Sequence, residues 1–173
     1  PDPRAVVKPE DVKVSKSMRN VLNQSLYTVT FDEDFRGVMQ GCADRPEEGT
    51  WITEDFIEAY LTLHDLGFAH SVEAWDGDGA LVGGLYGVSL GNCFFGESMF
   101  ARTSNASKVA FITLARELEQ WGFDCIDCQI MNPHLESLGA GHLPRADFLD
   151  LLERSLQKDT RRGQWARSNP TAP

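Results

Sequence analysis

The stretch Asp124-Cys125-Ile126-Asp127-Cys128-Gln129-Ile130 constrains the chain most. It is apolar enough for a buried central strand, yet it carries an acid and an amide two residues apart. Side chains alternate across a strand, so Asp127 and Gln129 are expected on one face with Cys125 and Met131, and Ile126, Cys128 and Ile130 on the other. A buried carboxylate without a partner is expensive, and a chain that tolerates one in mid-strand commonly uses it. The plainer alternative has Asp127 bonding neighbouring backbone amides at a bend in the sheet. Cys125 and Cys128 do not read as a metal or dithiol pair: on a strand they face opposite ways, and no second pair completes a site.

The preceding residues place that strand in a larger unit. Residues 94–100 surround a single acid, Glu97, with apolar bulk, and Ser104 or Asn105 then caps a long helix carrying Val109, Phe111, Ile112, Leu114, Leu118 and Trp121. Gly122 ends that helix and the strand of Asp127 follows, a strand–helix–strand order that predicts a crossover in a mixed sheet. Glu97 and Asp127 then fall at the C-terminal ends of neighbouring elements, where ligands of open sheets collect. Further upstream, residues 70–75 and 80–88 read as strands joined by the hairpin signal Asp76-Gly77-Asp78-Gly79. Gly83, Gly84 and Gly87 in the second strand imply a bulge or a close approach by a ligand.

Residues 26–31 read as a strand and residues 35–42 as a short helix. Thr53 is the expected N-cap of a further helix, with Glu54 and Asp55 in its first turn, an apolar stripe from Phe56 to Leu66, and Gly67 at its end. Trp51, in the loop just ahead, either plugs the core edge or stacks on a nucleobase. Downstream, residues 132–139 read as a turn and one short helix, residues 139–141 as a flexible joint, and Pro144 as the first residue of an amphipathic helix. His134 or His142 is a candidate general base, against the plainer reading of a surface group. Residues 1–157 form the expected domain, and residues 158–173 a polar, frayed tail.

With 173 residues, 42% of them hydrophobic, the chain is large and apolar enough for one globular domain rather than disorder. No run is long enough to span a membrane, no export signal precedes it, and the four cysteines sit within apparent structure. A cytoplasmic, monomeric protein is expected. A formal charge of −10 argues against broad adhesion to nucleic acid but would attract a basic substrate. The one basic cluster is the run 13–19, which includes Lys16 and Arg19.

Six motifs in order resemble the bacterial leucyl/phenylalanyl-tRNA–protein transferases: residues 47–53 (Glu-Glu-Gly-Thr-Trp-Ile-Thr), 83–88 (Gly-Gly-Leu-Tyr-Gly-Val), 96–100 (Gly-Glu-Ser-Met-Phe), 105–108 (Asn-Ala-Ser-Lys), 126–129 (Ile-Asp-Cys-Gln) and 137–140 (Ser-Leu-Gly-Ala). The likeness runs from Pro1 to about Leu156. It implies an α/β fold of the GNAT-like acyltransferase kind, a mixed sheet with helices on both faces. It also implies transfer of Leu or Phe, and Met, from aminoacyl-tRNA to proteins beginning with Arg or Lys, which marks them for the N-degron pathway. The implied catalytic pair is Asp127 and Gln129. The pocket for the transferred side chain is implied at Leu85, Phe94, Gly96, Met99, Phe111, Leu118 and Ile126. Glu97 and Asn132 are implied to meet the acceptor peptide, Trp51 the 3′ adenosine of the tRNA, and Lys16 and Arg19 its backbone. An aminoacyl ester is already activated, so neither a metal nor another cofactor is expected.

The departures from the family are specific. The family has a small N-terminal domain ahead of the Pro-Asp-Pro-Arg sequence, whereas this chain starts at Pro1, so whatever that domain adds to holding the tRNA end is expected to be missing. Leu85 stands at the family's pocket Met, Leu118 at an aromatic, and Phe111 where Leu is usual, swaps that roughly conserve volume. Asn20, Asn23 and Gln24 fall where more Lys or Arg is the rule, so weak, salt-sensitive tRNA binding is expected. Two other readings stand beside this one. A non-catalytic module for basic N-termini suits the acidic charge. An acyl-CoA-dependent acetyltransferase of the same architecture would need a glycine-rich phosphate loop where residues 102–107 have none.

Overall fold

A computed structural model describes residues 1–44 and 50–168, so Glu47, Glu48 and Gly49 of the first motif lie outside the described residues. The chain opens with strand β1 (Arg4–Val7), a 3-10 turn (Pro9–Asp11), helix α1 (Lys16–Asn23), strand β2 (Thr28–Phe31) and helices α2 (Phe35–Ala43) and α3 (Glu54–Asp65). There follow β3 (Ala69–Trp75), β4 (Leu81–Leu90), β5 (Cys93–Ala101), α4 (Ala106–Gln120), β6 (Cys125–Gln129), α5 (Pro133–Ser137), β7 (Gly141–Leu143) and α6 (Arg145–Leu156).

The strands make one mixed sheet in the order β2-β3-β4-β5-β6-β1-β7. Strands β2 to β5 are an antiparallel meander, and β3 turns into β4 where the Asp76 carboxylate accepts from the amides of Asp78 and Ala80. Between β5 and β6 the chain crosses over through α4, and these two strands pair in parallel as the strand–helix–strand order predicts. Strand β1 then inserts antiparallel beside β6, 120 residues away in sequence, with β7 on the edge.

Helices cover both faces. On one, α4 buries Ala110, Phe111, Ile112, Leu114 and Leu118 against Leu85, Phe94 and Ile126; on the other, α2 and α3 bury Val38, Met39, Cys42 and Ile57 around Tyr86. Gly83 is explained by this packing: a Cβ there would lie 2.6 Å from that of Ala106 at the start of α4, so the close approach is made by the protein's own helix and not by a ligand.

The Thr53 cap forms as expected, its hydroxyl accepting from the amide of Phe56, and Gly67 ends α3 at φ +80°. Asn105 precedes α4 in a left-handed conformation and makes no side-chain cap. Pro144 is the residue before α6 rather than its first. Residues 139–141 are not a flexible joint: the amide of Lys13 bonds the carbonyl of Leu138, Ala140 is buried, and Gly141 begins β7.

The largest correction concerns the segment after α6. It was expected to fray, but Trp165 is 2% exposed, its ring stacks on His70 at 3.7 Å and its amide donates to Asp32 at 2.7 Å. Arg162 donates to the carbonyl of Leu66, Arg161 lies 4.1 Å over the Trp121 ring, and the amide of Ser168 bonds Glu117. Polar composition hid a strap fastened by one aromatic anchor.

Candidate active site

Two register slips in neighbouring strands build the site. Opposite the first, Tyr86 pairs with Ser98 but Gly87 with Gly96, leaving Glu97 as an extra residue in β5. A bulge reverses the alternation beyond it. Phe94 and Met99, five residues apart, consequently join the same face, where they meet Leu85, Phe111 and Ile126 in the core under α4. Together with Gly96 these five residues wall a cavity of about 220 Å³. That is smaller than the roughly 300–1,000 Å³ that hold drug-sized ligands, and so suits a single side chain. Six of the seven residues expected at the pocket therefore surround one space. The seventh, Leu118, does not: it is fully buried in the helix–sheet core and lines no part of the cavity.

The second slip lies in β6. Val6 pairs with Asp127 but Ala5 with Gln129, which leaves Cys128 as the extra residue, and Gln129 takes a φ of +63°. The alternation expected of Ile126, Cys128 and Ile130 survives this slip, and neither Asp127 nor Gln129 is among the residues of the cavity wall. Ile126, Cys128 and Ile130 face the cavity, whereas Asp127 is fully buried and does not line it. The Asp127 carboxylate is instead held by Arg4, whose Nε lies 3.0 Å from both oxygens and whose Nη2 lies 2.7 Å from Oδ2. Its Oδ1 also accepts the backbone amide of Gln129 at 3.0 Å, so the plainer sequence alternative, a carboxylate bonding backbone at a bend, is part of the truth.

Gln129 is tied to Asp127 through its backbone and, through its carboxamide, to two residues that line the cavity, Gly96 and Glu97. Its Nε2 donates to the carbonyl of Gly96 at 2.9 Å, and the carboxamide also bonds the Glu97 carboxylate. Glu97 lines the cavity. Burial, the largest influence, pushes its carboxyl above the ordinary carboxylate range, while the bonds from Gln129 and Tyr60 pull the other way. The Tyr60 hydroxyl, on a half-buried side chain beside that acid, is raised to about 12, chiefly by desolvation, and remains a donor at neutral pH.

From Tyr60 an aromatic ladder runs outward: Phe56 stacks on it at 4.5 Å, and Trp51 meets Phe56 edge-on at 4.9 Å. Trp51 itself is 55% exposed, an indole offered to solvent at the outer end of a row that begins at the acid. On the opposite rim, Asn132 lines the cavity but commits its Oδ1 to the amide of Leu135 as the N-cap of α5. His134 also lines it. Its imidazole is depressed by burial and then by Lys108, so it is neutral at physiological pH. His142 is exposed on the edge strand β7, and Lys16 and Arg19 are exposed on α1.

Arg4, Tyr60, Cys128, Ile130 and Leu135 escaped sequence reasoning. For Arg4 a faint signal existed, since a buried acid demands a cation, but nothing local points across 123 residues. Cys125 is turned from the cavity, its Sγ 3.0 Å from that of Cys93 on β5. Burial raises the Cys128 thiol to about 12, which leaves it a poor nucleophile. Among the described residues no group of three or more His, Cys, Asp or Glu is disposed to hold a metal ion.

The sequence model of the family described as "Leucyl/phenylalanyl-tRNA protein transferase" matches residues 6–153. A curated protein of that name from Myxococcus xanthus is 50% identical over the whole of this chain and 75% of its own length; one from Pseudomonas fluorescens is 52% identical over 95% of this chain and 73% of its own. Among solved structures, "The structure of L-PGS from Bacillus licheniformis" superposes with a TM-score of 0.50 at 15% identity, covering 76% of this chain and 46% of that one. At that identity the likeness concerns the fold alone, a mixed sheet with helices on both faces.

Proposed function

The chain belongs to the leucyl/phenylalanyl-tRNA–protein transferase family, and on that premise we propose that it transfers Leu or Phe, and Met, from aminoacyl-tRNA to the α-amino group of proteins beginning with Arg or Lys. The observation that carries this reading is an apolar cavity walled by Phe94, Met99 and Ile126, with the Glu97 carboxylate in its lining and the Gln129 carboxamide bonded to that lining. The apolar wall takes the side chain of the transferred residue, and Met99 adapts to a branched or an aromatic guest. The rim then lies beside the ester carbonyl.

In the transfer, the acceptor nitrogen bonds to the carbonyl carbon, the bond to the ribose oxygen breaks, and the proton lost by the nitrogen ends on that oxygen. Glu97, its carboxyl raised by burial, receives the amine proton and returns it to the leaving oxygen, while Gln129 orients the amine by hydrogen bonding. The Glu97 carboxylate also complements the cationic acceptor terminus, alongside Asn132. The Asp127 carboxylate is already engaged by Arg4 and by the Gln129 amide, and it contributes through Gln129 rather than by touching substrate.

The exposed Trp51 suits stacking on the terminal adenosine, and Lys16 and Arg19 suit the tRNA backbone. The four free cysteines are in keeping with a cytoplasmic monomer whose products enter the N-degron pathway, and among the described residues no helix is long and apolar enough to cross a membrane. A transfer assay with leucyl-tRNA and an Arg-starting peptide tests the reading. Leucine joined to the peptide's N-terminus supports it. Binding of the peptide without transfer would instead make the chain a recognition module.

A further inference from the structure

Gln129 holds a conformation that a glutamine does not adopt for its own sake. Its φ of +63° lies in the left-handed region, and such strain persists only where the surroundings enforce it and is often found at functional sites. Two bonds enforce it here: the backbone amide donates to Asp127 Oδ1, and the carboxamide donates to the carbonyl of Gly96. The first of these is only as firm as Asp127. That carboxylate is fully buried at the β6 bulge, with Glu97 and Cys93 on β5 and Cys128 on β6 near enough to feel its charge. A bare carboxylate there would turn toward any donor or leave the strand.

It is fixed by the fork of Arg4, arriving on β1 from the other end of the sequence and resting on the Phe148 ring of α6 at 5.0 Å. Arg4 is itself mostly buried, with 19% of its side chain exposed, and its two nitrogens grip both carboxylate oxygens. A lysine, with one ammonium point, cannot reproduce that planar grip.

We infer that Arg4 is a positioning residue for the transfer reaction: by clamping Asp127 it fixes the backbone of Gln129, and through it the carboxamide that meets the substrates. The chain of contacts is Arg4 to Asp127, Asp127 to the Gln129 amide, and the Gln129 carboxamide to Gly96 and Glu97 at the cavity rim. This rests on the site assigned above, so its test keeps the two apart.

The experiment compares the unaltered chain with Arg4→Lys, Arg4→Ala, Gln129→Ala and the double variant Arg4→Lys/Gln129→Ala. It measures the single-turnover rate at saturating leucyl-tRNA and Arg-starting peptide, the leucyl-tRNA affinity, and the thermal melt of each. Arg4→Lys is expected to slow transfer about 10- to 100-fold, the scale of a misplacement near 1 Å, with leucyl-tRNA affinity unchanged. It should add nothing to the loss already caused by Gln129→Ala, because both act through one carboxamide. Free guanidinium should restore part of the rate of Arg4→Ala.

Arg4→Lys at the full rate, or a loss that multiplies with that of Gln129→Ala, overturns the inference while the site reading stands. Collapse of the fold in both Arg4 variants makes the residue purely structural and overturns it as well. If the unaltered chain transfers nothing, the site reading itself fails.

Discussion

Glu97 concentrates the tension between stability and chemistry. Desolvation lifts its carboxyl above the usual range, so its folded-state pKa exceeds the unfolded one, and the linked stability is present at low pH and lost as pH rises through the folded value. Above its folded-state pKa the ionised acid therefore costs stability. Glu97→Gln is expected to melt higher than the parent above that pKa while transferring at least about a hundredfold more slowly, as befits loss of a general base. The rate profile should change as well. In the parent, the working form is the carboxylate, so transfer should fall off on the acid side at a pH above the ordinary carboxylate range, a limb that Glu97→Gln should lack. Stopped single-turnover assays across pH, beside calorimetric melts, check both statements.

At the scale of the element, the bulges in β5 and β6 decide the site. The insertion of Glu97 brings Phe94 and Met99 to one face, and the slip at Cys128 coincides with the left-handed backbone of Gln129. Gly96 shows how closely this geometry is drawn. A Cβ there would meet only the carbonyl of Asp127 at 3.4 Å, ordinary contact, so the protein has room for Gly96→Ala but the guest does not. The variant should fold and melt like the parent yet lose leucine and phenylalanine transfer about 10- to 200-fold, the value of one methyl group in a pocket. Parent-like transfer rates for that variant would mean that the cavity is not where the side chain sits.

These elements also mark the limit of what sequence reveals. The crossover into β6, the hairpin at Asp76 and the Thr53 cap rest on local signals and form as read. The slips are less legible: Gly87 signals the bulge that β4 and β5 make beside it, but nothing in the letters of Asp-Cys-Gln announces a left-handed glutamine, and simple alternation sets Phe94 and Met99 back to back. Resemblance to a family grouped those two where periodicity alone would have parted them. Arg4 could be found only once the sheet had closed β1 against β6, and Leu118, buried in the same helix as Phe111, could be told from the cavity wall only by the turn it occupies.

Over the whole molecule, the strap that follows α6 bears on stability and the charge distribution on partners. Trp165 fills the space between His70, Phe94, Trp121 and Phe123, behind the wall of the cavity that Phe94 forms. Trp165→Ala should cost about 3–5 kcal/mol in denaturant titration, a core-sized loss from a segment of tail-like composition. With a net charge of −10, the protein must rely on a few exposed cations to hold tRNA. Lys16→Ala and Arg19→Ala should each weaken binding evenly across tRNA species and lower the slope of log affinity against log salt by about 1.

The central claim is that a carboxamide bonded to the lining of a one-side-chain cavity carries the transfer. It is tested most directly by the single-turnover rate of Gln129→Ala at saturating leucyl-tRNA and Arg-starting peptide, read beside its leucyl-tRNA affinity. The account predicts a rate at least about a hundredfold below the parent with affinity unchanged; an undiminished rate, or a loss matched by equally weakened binding, would contradict it.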